Sequence, residues 1–155
     1  MTGTGGPARP ILITGAAGNL GGVLARHLIA RGHPLRLMHH RAPLPSDLVS
    51  AAGVEPIQAD LADPRTLIPA LEGVGVVVHF AGVLFAPRPE RFLPITNTRW
   101  FSNLLEAALA ARVQRVILIS FPHVEGPTSV ERPATGRLDR RPISVHAQTR
   151  LEEER

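Results

Sequence analysis

A chain of 155 residues with 44% hydrophobic and 19% charged residues is long enough for one folded domain and too apolar to be a disordered one. It contains no cysteine, which excludes disulfides and thiolate–metal sites, and its net charge of +4 comes from arginines scattered along the chain, so no nucleic-acid partner is expected. The longest apolar run, Val74 to Ala86, is interrupted by His79 and too short to span a bilayer, and the amino terminus lacks the apolar core of a secretory signal. Residues 1–9 therefore read as a disordered lead, and the chain as a cytoplasmic protein without a membrane partner.

The remaining residues, 10–155, alternate short apolar runs with amphipathic stretches, the pattern of an α/β fold: a doubly wound parallel sheet of about five strands with helices on both faces. The run "PILIT" predicts a buried first strand. The next stretch, "NLGGVLARHLIARG", carries Leu20, Val23, Leu24, Leu28 and Ile29 at helical spacing, with Gly32 as a stop. A second strand, "PLRLMH", is followed by a proline-broken turn and a short helix over residues 46–52. The third strand is "VEPIQAD", and "DPRTLIPALEG" supplies an Asp N-cap, a first-turn proline and a closing glycine. The fourth strand, "VGVVVHFAG", is continuously apolar, as expected where both faces are covered. A helix is predicted from about Ile95 to Ala111, then a fifth strand in "VQRVILIS". Residues 121–142 show no periodicity and read as a long functional or mobile loop, before a last helix that starts near Ser144.

The first strand and first helix are joined by "ITGAAGNLGG", with Gly15, Gly18 and Gly21 at G-x-x-G-x-x-G spacing. A dinucleotide needs a tight turn there, a bare backbone near its pyrophosphate and close packing of helix on strand, and the helix amino terminus favours the anion. The context of strand, glycine loop and helix points to dinucleotide binding.

On these residues the chain resembles the extended short-chain dehydrogenase/reductases, the NAD-dependent epimerase/dehydratase family. "TGAAGNLGG" is similar to that family's cofactor loop. Three further landmarks follow in the family's order: "ADL" (Ala59 to Leu61) after the third strand, "HFAG" (His79 to Gly82) after the fourth, and "NTRWFSNLLEAA". The last keeps Asn97 and Asn103 but replaces a small Gly-Thr pair with Trp100 and Phe101. The resemblance implies an NAD(P)-binding Rossmann domain over residues 10–155. It implies cofactor contacts from Gly15, Ala17, Gly18, Asn19, Leu20 and Gly21, from Asp60 and Leu61 at the adenine, and from Phe80, Ala81, Gly82 and Ser120 further along. At the end of the second strand, "MHHRAP" offers His39 and Arg41 and no carboxylate, which favours NADP over NAD, unless Arg36 and Arg41 are merely solvated arginines.

The family's chemistry is oxidoreduction or epimerisation of a hydroxyl-bearing substrate such as a nucleotide sugar. It uses a Ser or Thr after the fifth strand and a Tyr-x-x-x-Lys pair on the next helix. Here Phe121 falls where the hydroxyl is expected, with Ser120 one residue early, and His146 and Arg150 replace the pair. The chain has no tyrosine and no lysine anywhere, so no shift of register restores them. His146 is chemically able to move a proton and Arg150 to hold a ribose hydroxyl or phosphate. Alternatively, the helix is a surface one with Arg150 pairing to Glu153 or Glu154. Arg132, Arg137, Arg140 and Arg141 in the long loop are candidates for an anionic group, or solvated. Family members continue into a substrate domain that is absent here, which leaves the fifth strand as an apolar edge for a second copy or a partner chain, or else marks a fragment. A regulatory module that reads the cofactor is the alternative to an enzyme.

Overall fold

The structure, a computed structural model, describes residues 8–83, 86–139 and 141–155. Most of the expected lead, residues 1–7, lies outside the described residues, as does Arg140. Five strands form one sheet in the order β3-β2-β1-β4-β5, with every neighbouring pair parallel. They are β1 (Ile11–Thr14), β2 (Leu35–His39), β3 (Val54–Gln58), β4 (Val76–His79) and β5 (Arg115–Leu118). The helices are α1 (Asn19–Ile29), α2 (Ser46–Val49), α3 (Pro64–Leu71), α4 (Pro89–Leu93), α5 (Trp100–Ala110) and α6 (Val145–Glu154). No helix among the described residues is long and apolar enough to cross a membrane.

The two-residue period of a strand divides the core into two layers. From β1, Leu12 faces a cluster with Leu67 and Leu71 of α3 and Phe101 and Leu104 of α5. Its neighbour Ile13 faces the other cluster, with Ala25 of α1 and Leu48 of α2. Helix α1 buries part of the face its apolar period suggests: Leu24, Leu28 and Ile29 pack half-buried on the second cluster, Leu20 and Val23 are exposed, and Gly21, Gly22 and Ala25 are fully buried. The helix lies so close to the sheet that only small residues fit beneath it.

The helix expected from Ile95 starts earlier, at Pro89, and runs to Ala110 through a π-helical segment, Pro94–Arg99. Both prolines look like breakers in sequence, yet Pro89 is accommodated in the first turn, where its missing N–H has no partner to lose. At Pro94 the chain widens instead of breaking, and the Trp100 N–H reaches back to the Ile95 carbonyl. The extra residue turns Asn97 inward, where it is almost fully buried.

The carboxyl end of α3 has no side-chain cap of its own. Arg36 on β2 supplies one, donating to the Ala70 carbonyl at 3.1 Å and the Glu72 carbonyl at 2.7 Å while its Nε donates to Glu55 at 2.8 Å. Arg36 is thus a structural residue and not the solvated arginine that sequence allowed. Because a hydrogen bond to a charged donor contributes about 1.5–3 kcal/mol and the carbonyls are left unpaired without it, Arg36→Met is expected to lower unfolding stability by about 2 kcal/mol. Urea titration of both proteins checks this, and an unchanged midpoint would refute it.

Candidate functional site

Strand order reverses between β1 and β4, so their following loops diverge and leave a crevice at the carboxyl edge of the sheet. The glycine loop fills the floor of that crevice. Gly15 adopts φ +68°, and a Cβ on it would lie 2.9 Å from the Ala81 nitrogen. A Cβ on Gly21 would strike the Gly15 carbonyl. Gly18, Asn19 and Leu20 are exposed at the start of α1, which has no side-chain cap and no acidic residue in its first turn. Its leading N–H groups and dipole are therefore left for an external anion.

A cleft of about 250 Å³ opens above this loop, lined by Gly15 and Ala17, by His39, His40 and Arg41 after β2, by Asp60 and Leu61 after β3, and by Ala81, Gly82 and Val83 after β4. Segments far apart in sequence thus meet in one place because parallel strands all end on the same side. His40 Nε2 lies 3.4 Å from Asp60 Oδ2, and Asp60 Oδ1 accepts the Ala62 N–H at 2.9 Å. Trp100 and Thr96 close the cleft on the helical side. The donor set suits a dinucleotide: bare backbone and helix N–H groups at the loop, and mixed polar and cationic groups at the end of β2. Phe80 lies apart from the cleft lining and packs against the α1–α2 layer. Ser120 is also outside the cleft lining, its hydroxyl donating to Glu154 of α6.

Two asparagines that sequence treated only as landmarks hold the cleft's walls. Asn97 accepts the Val83 N–H at 3.0 Å and donates to the Val83 carbonyl at 3.2 Å and to Thr149 of α6 at 3.3 Å. Asn103 donates to the Leu61 carbonyl at 2.8 Å. Beneath them, Thr14 Oγ accepts the Ala81 N–H at 3.2 Å and lies 2.7 Å from His79 Nδ1. The Phe101 ring packs 4.9 Å from the His79 ring. The pairing of Thr14 with His79 escaped sequence reasoning because a buried polar pair at strand ends has no local signature.

Helix α6 begins where Ser144 accepts the Ala147 N–H at 3.2 Å. The Phe121 ring stands 4.7 Å from the ring of His146, in edge contact. Burial first, and then the nearby Arg150 charge, push the His146 pKa below its usual value. One turn on, Arg150 presses its guanidinium against Gly82, where a Cβ would collide with it. Its Nη1 donates to Glu153 at 2.6 Å, both side chains being buried. Arg150 therefore pairs with Glu153, as one expectation held, but in a buried setting at the edge of the cleft and not on a surface helix. Burial pushes the Glu153 carboxyl up while Arg150 opposes the shift. In the loop before α6, a 3-10 turn spans Pro122–Glu125. The Glu125 carboxylate accepts the N–H groups of Thr135, Gly136 and Arg137, and Arg137 pairs with Asp139. The loop is thus organised by its own charges.

Comparison with known proteins places this geometry. Residues 15–150 match a family described as NAD(P)H-binding. The uronate dehydrogenase of Pseudomonas putida is 34% identical over 142 residues, covering 90% of this chain and 51% of that enzyme. A mutant uronate dehydrogenase from Agrobacterium tumefaciens complexed with NAD superposes with a TM-score of 0.79 at 28% identity, covering 95% of this chain and 54% of the other. The Bordetella bronchiseptica enzyme WbmG in complex with NAD and UDP gives 0.79 at 26% identity, with 95% and 48% covered. The chain spans about half the length of these relatives.

His79 carries a checkable consequence. Burial, reinforced by the Arg150 charge, lowers its pKa from 6.5 to about 3. A folded-state pKa below the unfolded one contributes stability that is present above pH 6.5 and lost as pH falls toward 3. At about 1.4 kcal/mol per pH unit, acidification from pH 7 to 5 should cost the protein about 2 kcal/mol through this residue. In His79→Gln, which cannot titrate, the difference between unfolding free energies at the two pH values is expected to shrink by that amount. An unchanged difference would show that His79 protonates freely in the folded chain.

Proposed function

The chain belongs to the NAD(P)H-binding family, as an NAD(P)-binding Rossmann domain of the extended short-chain dehydrogenase/reductase and epimerase type, and from that premise we propose that it holds NADP in preference to NAD. The observation that supports this reading is the composition of the wall after β2: His39, His40 and Arg41 line the cleft, and the one carboxylate among the described lining residues, Asp60, faces His40. An acidic residue there would accept the ribose 2′-hydroxyl, whereas cationic and imidazole groups favour a 2′-phosphate. With Arg36 engaged at the end of α3, Arg41 is left as the guanidinium for that phosphate. Pyrophosphate would rest on the N–H groups opening α1, and Arg150 against Gly82 would take a ribose hydroxyl.

When bound, the nicotinamide supplies hydride transfer. The standard hydroxyl, tyrosine and lysine are replaced by Phe121, His146 and Arg150, so cofactor binding is the primary activity of this chain and any turnover runs through His146. One observation supports such turnover: His146 Nε2 is buried without a hydrogen-bond partner among the described residues. With its pKa lowered, the imidazole is neutral at pH 7 and acts as a base toward a substrate hydroxyl, better suited to oxidising an alcohol than to donating a proton to a ketone. Arg150 cannot share a proton as lysine can, and its role is positional. The substrate would be a hydroxyl- or carbonyl-bearing molecule. The alternative role, a module that reads the cofactor for a partner, would use the open β5 edge, where Ile117 is exposed.

The decisive measurement is titration with NADPH and NADH, read by nicotinamide fluorescence and by quenching of Trp100 in the cleft. NADPH is expected to bind more tightly, and Arg41→Ala to weaken NADPH at least tenfold while leaving NADH unchanged, the size of one charge-assisted hydrogen bond. A folded chain that binds neither dinucleotide would overturn the reading. Any alcohol oxidation should be level above about pH 7 and decline only below about pH 6.5, as His146 becomes protonated.

A further inference from the structure

Apart from the residues that line the cofactor cleft, a larger cavity of about 650 Å³, well within the size range of small-molecule sites, is lined in part by His146. Three separate segments build its walls: Pro89 and Leu93 of α4, Phe121 and Pro127 of the loop after β5, and Val145 and Ala147 of α6. The polar side chains among its lining residues are His123, Ser144 and His146. Ser144 caps α6 through its hydroxyl oxygen, and the His123 ring packs edge-on against Phe121 at 4.9 Å. No aspartate, glutamate, arginine or lysine is among the described residues that line it. His146, the lining residue with hydrogen-bonding capacity in reserve, forms part of its wall.

We infer that this cavity is the binding site for a neutral, largely apolar ligand that carries a single carbonyl or hydroxyl oxygen beside His146. The inference rests on the cofactor reading above, since it makes the cavity the substrate side of that cleft. A uronate or a nucleotide sugar would bring one or more negative charges into a wall that offers no counter-charge, and a buried unpaired charge is strongly disfavoured. An alkyl or alicyclic body instead removes apolar surface from water on both partners. The loop arginines do not alter this, because Arg137 is paired with Asp139 and none of them lines the cavity.

The test uses a series of neutral 2-alkanones from 2-hexanone to 2-decanone, with D-glucuronate and UDP-glucuronate as charged probes, followed by calorimetry in the presence and absence of NADPH. Affinity for the ketones is expected to rise by about fourfold per added methylene, with no detectable binding of the charged probes. His146→Phe, which keeps the wall apolar, should weaken every ketone by about fivefold. Val145→Asp places a carboxylate in the wall at the first position of α6, where the helix dipole tolerates it, and should abolish the dependence on chain length. NADPH binding reports separately on the cofactor site and on folding in each variant. Binding of the charged probes in place of the ketones, binding of neither class, or a chain-length dependence that survives Val145→Asp would each overturn the inference, while retained NADPH binding in those cases would leave the cofactor reading intact.

Discussion

Everything at this site depends on how closely two backbone segments approach at the point where strand order reverses. Gly15 meets the Ala81 backbone on one side and Gly21 meets Gly15 on the other, so three stretches of main chain are packed without an intervening side chain. The contact brings the start of α1 down to the sheet, which is why the fully buried residues of α1 are the small ones, Gly21, Gly22 and Ala25. It also sets the end of β4 beside the end of β1, where Thr14 ties both Ala81 and His79. A bulkier residue at Gly15 or Gly21 would push apart the surfaces that define the cleft, and the loss would spread to both layers of the core.

From that fixed floor, the rest of the site is held by side-chain to backbone bonds. Asn97 grips both polar groups of Val83, and Asn103 grips the turn after β3. The π-helical segment makes the first of these bonds possible, because one additional residue in the turn is what points Asn97 inward. A wide turn in a helix costs stability, and its placement against the cleft follows the tendency of such segments to occur at functional sites. Thr149 then extends the grip to α6, so the helix bearing His146 and Arg150 is anchored to the same wall as the glycine loop.

The five strands, their parallel doubly wound class and the glycine loop were legible in the sequence because they are written in local terms: apolar runs, a period, an Asp or Ser cap, a stop glycine. The helix from Pro89 was not, since Pro94 reads as a terminator and only tertiary packing makes widening cheaper than breaking. Arg36 and Arg150 show the second limit. Neither residue's neighbours in sequence reveal that one would cap a helix 34 residues away or that the other would be buried against Gly82. Ser120 shows a third: the resemblance implies a cofactor contact there, and no neighbour in sequence reveals that its hydroxyl donates to Glu154. The apolar cavity was invisible for a simpler reason, as its walls come from segments around Pro89, Phe121 and Val145 that no window of sequence joins.

A chain with neither lysine nor tyrosine has to carry out any proton movement near neutrality with histidine. That constraint makes the seat of Arg150 more than a matter of packing. Its guanidinium carries a fixed positive charge, and it lies close enough to depress both His79 and His146. Burial is the larger cause of both shifts and the Arg150 charge the second; a lysine in the same seat could lose its own proton, whereas an arginine cannot. Glu153 compensates the arginine within the protein and allows it to be buried at all, since an unpaired charge there would be strongly destabilising. The Arg150–Glu153 pair thus does two things at once. It lets α6 pack against the cleft, and its arginine adds to burial in favouring the neutral imidazole of His146 in the wall of the apolar cavity.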